Sequence, residues 1–154
     1  MYEEFYGFKE RPFALVPDPS FLYLSKGHGT ALTLLRYSIM NRQGFTVVSG
    51  EVGSGKTTLV NRLLDELKTG VTVGLINFTT RTFGDMAEWI MMAYGLPYKN
   101  KGKVELYEDF VQFMIREYAA GRPVVLIVDE AQNLGIRGLE EIRMLSNVNA
   151  QKEY

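Results

Sequence analysis

Apolar residues recur along this chain at two periods, and the alternation between them sets out the elements before any motif is considered. From about Thr30, the residues Ala31, Leu32, Leu35, Ile39 and Met40 fall near helical spacing, and Asn41 with Gly44 supplies a stop. Phe45 to Ser49 is a short β-rich run leading into the glycine-punctuated stretch Gly50 to Gly55, after which Leu59, Val60, Leu63, Leu64 and Leu67 resume the helical period. Val71 to Phe78 predicts the next strand. A helix follows with Phe83, Met86, Ile90, Met91 and Tyr94 on one face, closed by Gly95 and Pro97. Tyr107, Phe110, Val111, Met114 and Tyr118 mark another helix ending at Gly121. Pro123 to Val128 is almost continuously apolar, as a strand buried on both faces of a parallel sheet must be. Leu139, Ile142, Leu145 and Val148 indicate a last helix. Strands alternating with helices imply parallel neighbours joined by crossovers, so the predicted class is α/β.

Residues 1–25 read differently. Phe5, Tyr6, Phe8, Phe13, Phe21, Leu22 and Tyr23 are punctuated by Pro12, Pro17 and Pro19, which forbid a continuous helix and predict an irregular arm packed on the domain surface. Residues 26–154 form the core domain. A length of 154 residues accommodates one hydrophobic core. With 46% hydrophobic and 23% charged residues the chain is expected to fold. Seventeen basic against 18 acidic residues give a net charge of −1, which disfavours a dedicated nucleic-acid module. The loop carrying Lys99, Lys101 and Lys103 reads as a solvated connection, with nucleic-acid or partner contact as the minor alternative. The longest apolar run, Val124 to Val128, is far below the ~18 residues that suggest a membrane span. The acidic, aromatic N-terminus does not read as a secretory signal. Zero Cys and one His exclude thiolate and His-cluster metal sites.

The chemistry concentrates in two segments. GEVGSGKT, Gly50 to Thr57, matches G-x-x-x-x-G-K-[ST], the phosphate-binding P-loop. Glycines at 50, 53 and 55 let backbone N–H groups close on a phosphate, and the positive end of the following helix adds its partial charge. Lys56 is expected to reach the β- and γ-phosphates of a nucleotide, and the Thr57 hydroxyl to be a Mg²⁺ ligand. Glu51, Val52 and Ser54 complete the expected nucleotide-binding stretch. VVLIVDE, Val124 to Glu130, is a buried strand followed at once by two carboxylates. Strand ends of open α/β sheets face the ligand crevice, so Asp129 is expected to hold the Mg²⁺ water shell and Glu130 to accept a proton from the attacking water. Asn77, near the end of the second strand, is a candidate switch that would hydrogen-bond Glu130 until a partner arrives. His28 reads as a residue at a helix start, and the methionines 40, 86, 91, 92, 114 and 144 as core filling.

With both segments in hand, the chain resembles the N-terminal part of an AAA+ ATPase, and more narrowly the secretion-type ATPases: general secretion pathway A proteins and the related ATPase encoded with exosortase and exopolysaccharide systems. YEEFYGFKERPF and VPDPSFLYLS, GFTVVSGEVGSGKTTL, and VVLIVDEAQNL with LEEIRMLSNV carry the resemblance over essentially all 154 residues. It implies a three-layer α-β-α core, with Gly50 to Thr58 as Walker A and Asp129 with Glu130 as Walker B. It implies ATP and Mg²⁺ as cofactors, a homo-oligomer in a longer protein, and protein partners in an envelope, secretion or export machine. The location it implies is cytoplasmic, with peripheral attachment to the inner membrane through partners. The same resemblance predicts that the chain is a piece of a longer protein, stopping after the third core strand and its helix, before sensor 1, the arginine finger, sensor 2 and the lid. A strand that normally lies between the first and third would then be missing, and the strand at Thr46 would lack its neighbour at Val125. Such a piece is expected to hydrolyse ATP slowly. A DNA-associated AAA+ switch of the transposition-regulator type, and a nucleotide-binding fragment without activity alone, are the competing readings; a small-molecule kinase and a helicase are weaker.

Overall fold

Ser25 opens the first long helix: its hydroxyl accepts from the His28 N–H at 3.3 Å, satisfying one of the orphan donors of the first turn of α2, Lys26–Met40. The computed structural model describes residues 2–8, 23–67, 70–77 and 85–146. A five-residue helix α1, Tyr2–Tyr6, precedes α2, and α3 spans Lys56–Glu66. Strand β1, Thr72–Asn77, is followed by α4, Met86–Ala93, and α5, Lys103–Ala119. Strand β2, Val124–Asp129, leads through a 3₁₀ turn, Ala131–Asn133, into α6, Gly135–Ser146. Asp85 caps α4 by accepting from the Ala87 N–H, and the Glu105 carboxylate reaches back to the Gly102 N–H at 2.8 Å to start α5.

The two strands pair in parallel with Thr72 opposite Val124 and Asn77 opposite Asp129, so both end at the same edge of the sheet. Val124, Leu126 and Val128 pack with Ile76 against Ile90, Met91, Leu106, Phe110 and Phe113 of α4 and α5. Ile127 points the other way, to Leu32 of α2 and Leu59 and Leu63 of α3. That alternation makes the expected three layers, with the sheet between two helical layers. The sheet tolerates no side chain at position 74, where a Cβ would come within 2.8 Å of the Tyr94 ring.

Three expectations are corrected. Of the methionines read as core filling, Met86 and Met91 are buried, whereas Met40, Met92 and Met144 are exposed. The run Phe45 to Ser49 is not a strand: residues 45–50 carry no strand structure, and Val47 is 87% exposed. Among the described residues β2 pairs with β1 alone, and an extended run gains ladder hydrogen bonds only opposite a partner, so local β propensity does not suffice. In the arm, a short helix forms where irregular chain is predicted, and the described aromatics are exposed instead of packed on the domain. Phe5 is 81% exposed, and Tyr6, Phe8 and Tyr23 are also exposed. Phe13, Phe21, Leu22 and the three prolines of the arm lie outside the described residues, as do Phe78, Phe83 and Val148.

Glu117, at the end of α5, is buried and ties the last turn of that helix to the start of β1. It accepts from Arg122 Nε and Nη2 at 2.8 and 2.7 Å and from the Thr72 hydroxyl. The Arg122 hydrogen bonds, then the Thr72 hydroxyl, outweigh the cost of burial and lower its pKa from 4.5 to about 2. Because the folded value lies below the unfolded one, this contribution to stability is complete above about pH 4.5 and is lost as the pH falls toward about 2. Urea unfolding between pH 6 and pH 2 should therefore show a stability loss that is smaller in Glu117→Gln. An equal slope in the two proteins would contradict the assignment.

Candidate functional site

The glycine-rich segment forms a turn closed by the Ser54 N–H donating to the Glu51 carbonyl at 3.2 Å. Gly53 and Gly55 have φ of 78° and 84°, a region that L side chains rarely enter, and Gly55 is the residue that passes the chain into α3. A Cβ at Gly50 would lie 2.8 Å from Ser54 Oγ, so a side chain there would make that hydroxyl turn aside. Glu51 and Val52 form the exposed tip of the turn, whereas Thr57 and Thr58 lie half-buried in the first turn of α3. The first turn of a helix leaves backbone N–H groups without intrahelical partners, and these are the donors an anion needs.

Lys56 Nζ donates to the Gly50 and Glu51 carbonyls, both at 2.9 Å, so the ammonium lies folded across the mouth of its own loop. Thr57 Oγ1 donates to Asp129 Oδ2 at 2.9 Å, joining residues 72 apart in sequence. The two motifs read from the sequence are thus adjacent, with the hydroxyl at the start of α3 meeting the carboxylate at the end of β2. One hydroxyl and one carboxylate are the hard oxygen donors that Mg²⁺ takes when most of its shell is water and phosphate oxygen. Among the described residues no group of three or more His, Cys, Asp or Glu gathers as a metal site.

Glu130 follows Asp129 with φ 56°, an unfavourable region for a non-glycine residue, and its N–H donates to Asp129 Oδ1 at 3.0 Å. Its carboxylate accepts from Gln132 Nε2. Asn77 ends β1 opposite Asp129, on the same edge of the sheet as Glu130, and it is Gln132 that holds the Glu130 carboxylate.

Sequence reasoning missed two of the residues assembled here. Gln132 is one. The other is His28, whose Nε2 lies 2.8 Å from the Ser54 carbonyl oxygen and whose Nδ1 lies 2.7 Å from Ser25 Oγ. Ser25 three residues ahead of His28 is an N-cap signal, masked in the sequence by Gly27 and Gly29 in the first helical turn. Two of the three lysines of the basic loop are paired internally: Lys101 with Asp109, and Lys103 with Asp85 at 2.7 Å, near Glu141 at 3.8 Å. Burial opposes ionisation of Asp85, but the Lys103 ammonium and the Ala87 N–H outweigh it and hold its carboxyl below the ordinary value.

Comparison with known proteins adds two findings and one negative. The family described as AAA domain matches residues 39–153. General secretion pathway protein A of Aeromonas hydrophila is 36% identical over 154 residues, covering 99% of this chain and 28% of that protein. The chain therefore spans little more than a quarter of the length of this curated relative. No solved structure matches the chain.

Proposed function

The chain belongs to the AAA domain family, and from that premise we propose that it binds ATP with Mg²⁺ and hydrolyses it, as the nucleotide-driven part of a secretion or export machine. The Thr57–Asp129 hydrogen bond carries this reading, because it brings the phosphate loop and the strand-end carboxylate to one place. Mg²⁺, when bound between Thr57 and the shell of Asp129, would neutralise charge on the β- and γ-phosphate oxygens. Lys56 would exchange the Gly50 and Glu51 carbonyls for phosphate oxygens, and the N–H groups at the start of α3 would receive the β-phosphate. Glu130, next in the chain to Asp129, would orient water and take its proton. Asn77 remains a candidate switch residue on the same sheet edge.

The secretion role rests on the likeness to general secretion pathway protein A, and it extends to a homo-oligomer and to protein partners of the machine. No described helix is long and apolar enough to cross a membrane. The nucleic-acid alternative is weakened by the internal ion pairs of Lys101 and Lys103.

Thermal or urea unfolding with and without Mg²⁺-ATP tests the reading. Nucleotide at 100 times its Kd should stabilise the folded chain by about 2.7 kcal/mol. Lys56→Ala should lose most of that gain, measured against the variant's own unfolding in buffer. Equal stabilisation of parent and variant would remove the phosphate loop from the binding site.

A further inference from the structure

The imidazole of His28 is the one side chain from α2 that hydrogen-bonds the glycine loop among the described residues, and the chemistry of its two nitrogens is determined by their partners. A carbonyl oxygen only accepts, so Nε2, 2.8 Å from the Ser54 oxygen, carries a proton. Ser25 Oγ accepts from the His28 backbone N–H, which leaves its own hydroxyl hydrogen to donate to Nδ1 at 2.7 Å. In the neutral ring, the chain Ser25 O–H to Nδ1, and Nε2–H to Ser54 O, is the tautomer that suits both partners.

The bond acts on a peptide unit of the loop. The Ser54 carbonyl and the Gly55 N–H belong to the same planar trans peptide, so they point in opposite directions. Drawing that oxygen to the imidazole turns the Gly55 N–H away from α2. Gly55 is also where a Cβ would stand 3.2 Å from His28 Nε2, so the ring closes one side of the loop as well as holding its plane. The Ser54 N–H and the Gly55 carbonyl are held by Glu51 and Leu59, while Gly55, with φ of 84° and no side chain, leaves the peptide between them free of steric restraint of its own. Lys56 holds the carbonyls of Gly50 and Glu51, and His28 holds that of Ser54.

We propose that His28 is a positioning residue of the phosphate loop: through the Ser25-selected tautomer it fixes the Ser54–Gly55 peptide and presets the Gly55 N–H as a donor to the phosphates of a bound nucleotide. This rests on the nucleotide reading given above. Its substrate selectivity follows from where it acts. The contribution is made to nucleotides that reach the loop with a β-phosphate, and adenosine or AMP gains nothing from it.

Equilibrium binding of Mg²⁺-ATP, ADP and AMP to the parent chain, His28→Phe, His28→Gln and Ser25→Ala tests the proposal, with urea unfolding of each protein alongside. His28→Phe keeps the ring volume without the donor and should weaken ATP and ADP by about tenfold, the size expected when a well-aligned hydrogen bond no longer holds the loop. AMP affinity should be unchanged. His28→Gln keeps an N–H donor for the Ser54 oxygen and should recover most of the loss. Ser25→Ala, which frees the tautomer, should fall between parent and His28→Phe. A merely structural role would shift the unfolding midpoint and weaken all three nucleotides alike, and that result would overturn the proposal. So would unchanged ATP affinity in His28→Phe, with the nucleotide reading left standing. A parent chain that binds neither ATP nor ADP would overturn both.

Discussion

Glu130→Gln should bind Mg²⁺-ATP within about threefold of the parent chain yet release phosphate about 10²- to 10⁴-fold more slowly, the range by which a positioned general base accelerates proton transfer. The substitution preserves shape and leaves an oxygen for the Gln132 amide to donate to, so the turn at φ 56° has no new reason to move. What changes is basicity: a carboxamide orients water but cannot take its proton. Single-turnover phosphate release at high protein concentration, compared with binding of the same nucleotide, separates the two properties. A turnover rate equal to the parent's would show that Glu130 is not the base. A matching loss of binding would place the residue in the binding surface instead.

Leu106→Ala should destabilise the chain by about 2–5 kcal/mol. Leu106 is 2% exposed and belongs to the cluster in which α5 meets α4 and the sheet, with Ile76, Ile90, Met91, Phe110 and Phe113. Removing its branched end leaves a cavity that helices anchored by three aromatic rings, Tyr94, Phe110 and Phe113, cannot close. Domain stabilities are only about 5–15 kcal/mol, so this single loss is a large fraction of the total. Leu75 is the control. It lies on the other face of β1, is 42% exposed, and its replacement by Ala should cost under about 1 kcal/mol. Urea midpoints of the two variants measure the contrast, and a similar loss in both would mean that the core is not where these contacts put it.

The contrast between what the sequence makes readable and what it hides follows the range of the interactions involved. The glycine loop is a local object: glycine at φ 78° and 84°, then a helix, is written in eight consecutive residues. The strand Val124 to Asp129 is legible for a related reason, since burial on both faces leaves a continuous apolar run. Helices α3, α5 and α6 are legible through their apolar periods, with ends displaced by a few residues. The failures all depend on a distant partner. Phe45 to Ser49 has the composition of a strand and no ladder to join. His28 is an unremarkable residue in a helix start until Ser54 is seen 26 positions away. Lys103 looks like a free cation until Asp85 and Glu141 are placed beside it. The exposed aromatics of α1 show the same limit in reverse, because an apolar residue does not name the surface that covers it.

The resting place of Lys56 has a consequence for which anions the loop admits. Its ammonium already holds two carbonyl oxygens at 2.9 Å, so a ligand enters by competition with a dipole pair the protein supplies to itself. A singly charged anion such as chloride or acetate offers that ammonium little more than the carbonyls do. A polyphosphate, bringing several charges and oxygens at once, offers far more. The two carbonyls thus set a threshold of charge density for any anion that would take the Lys56 ammonium from them.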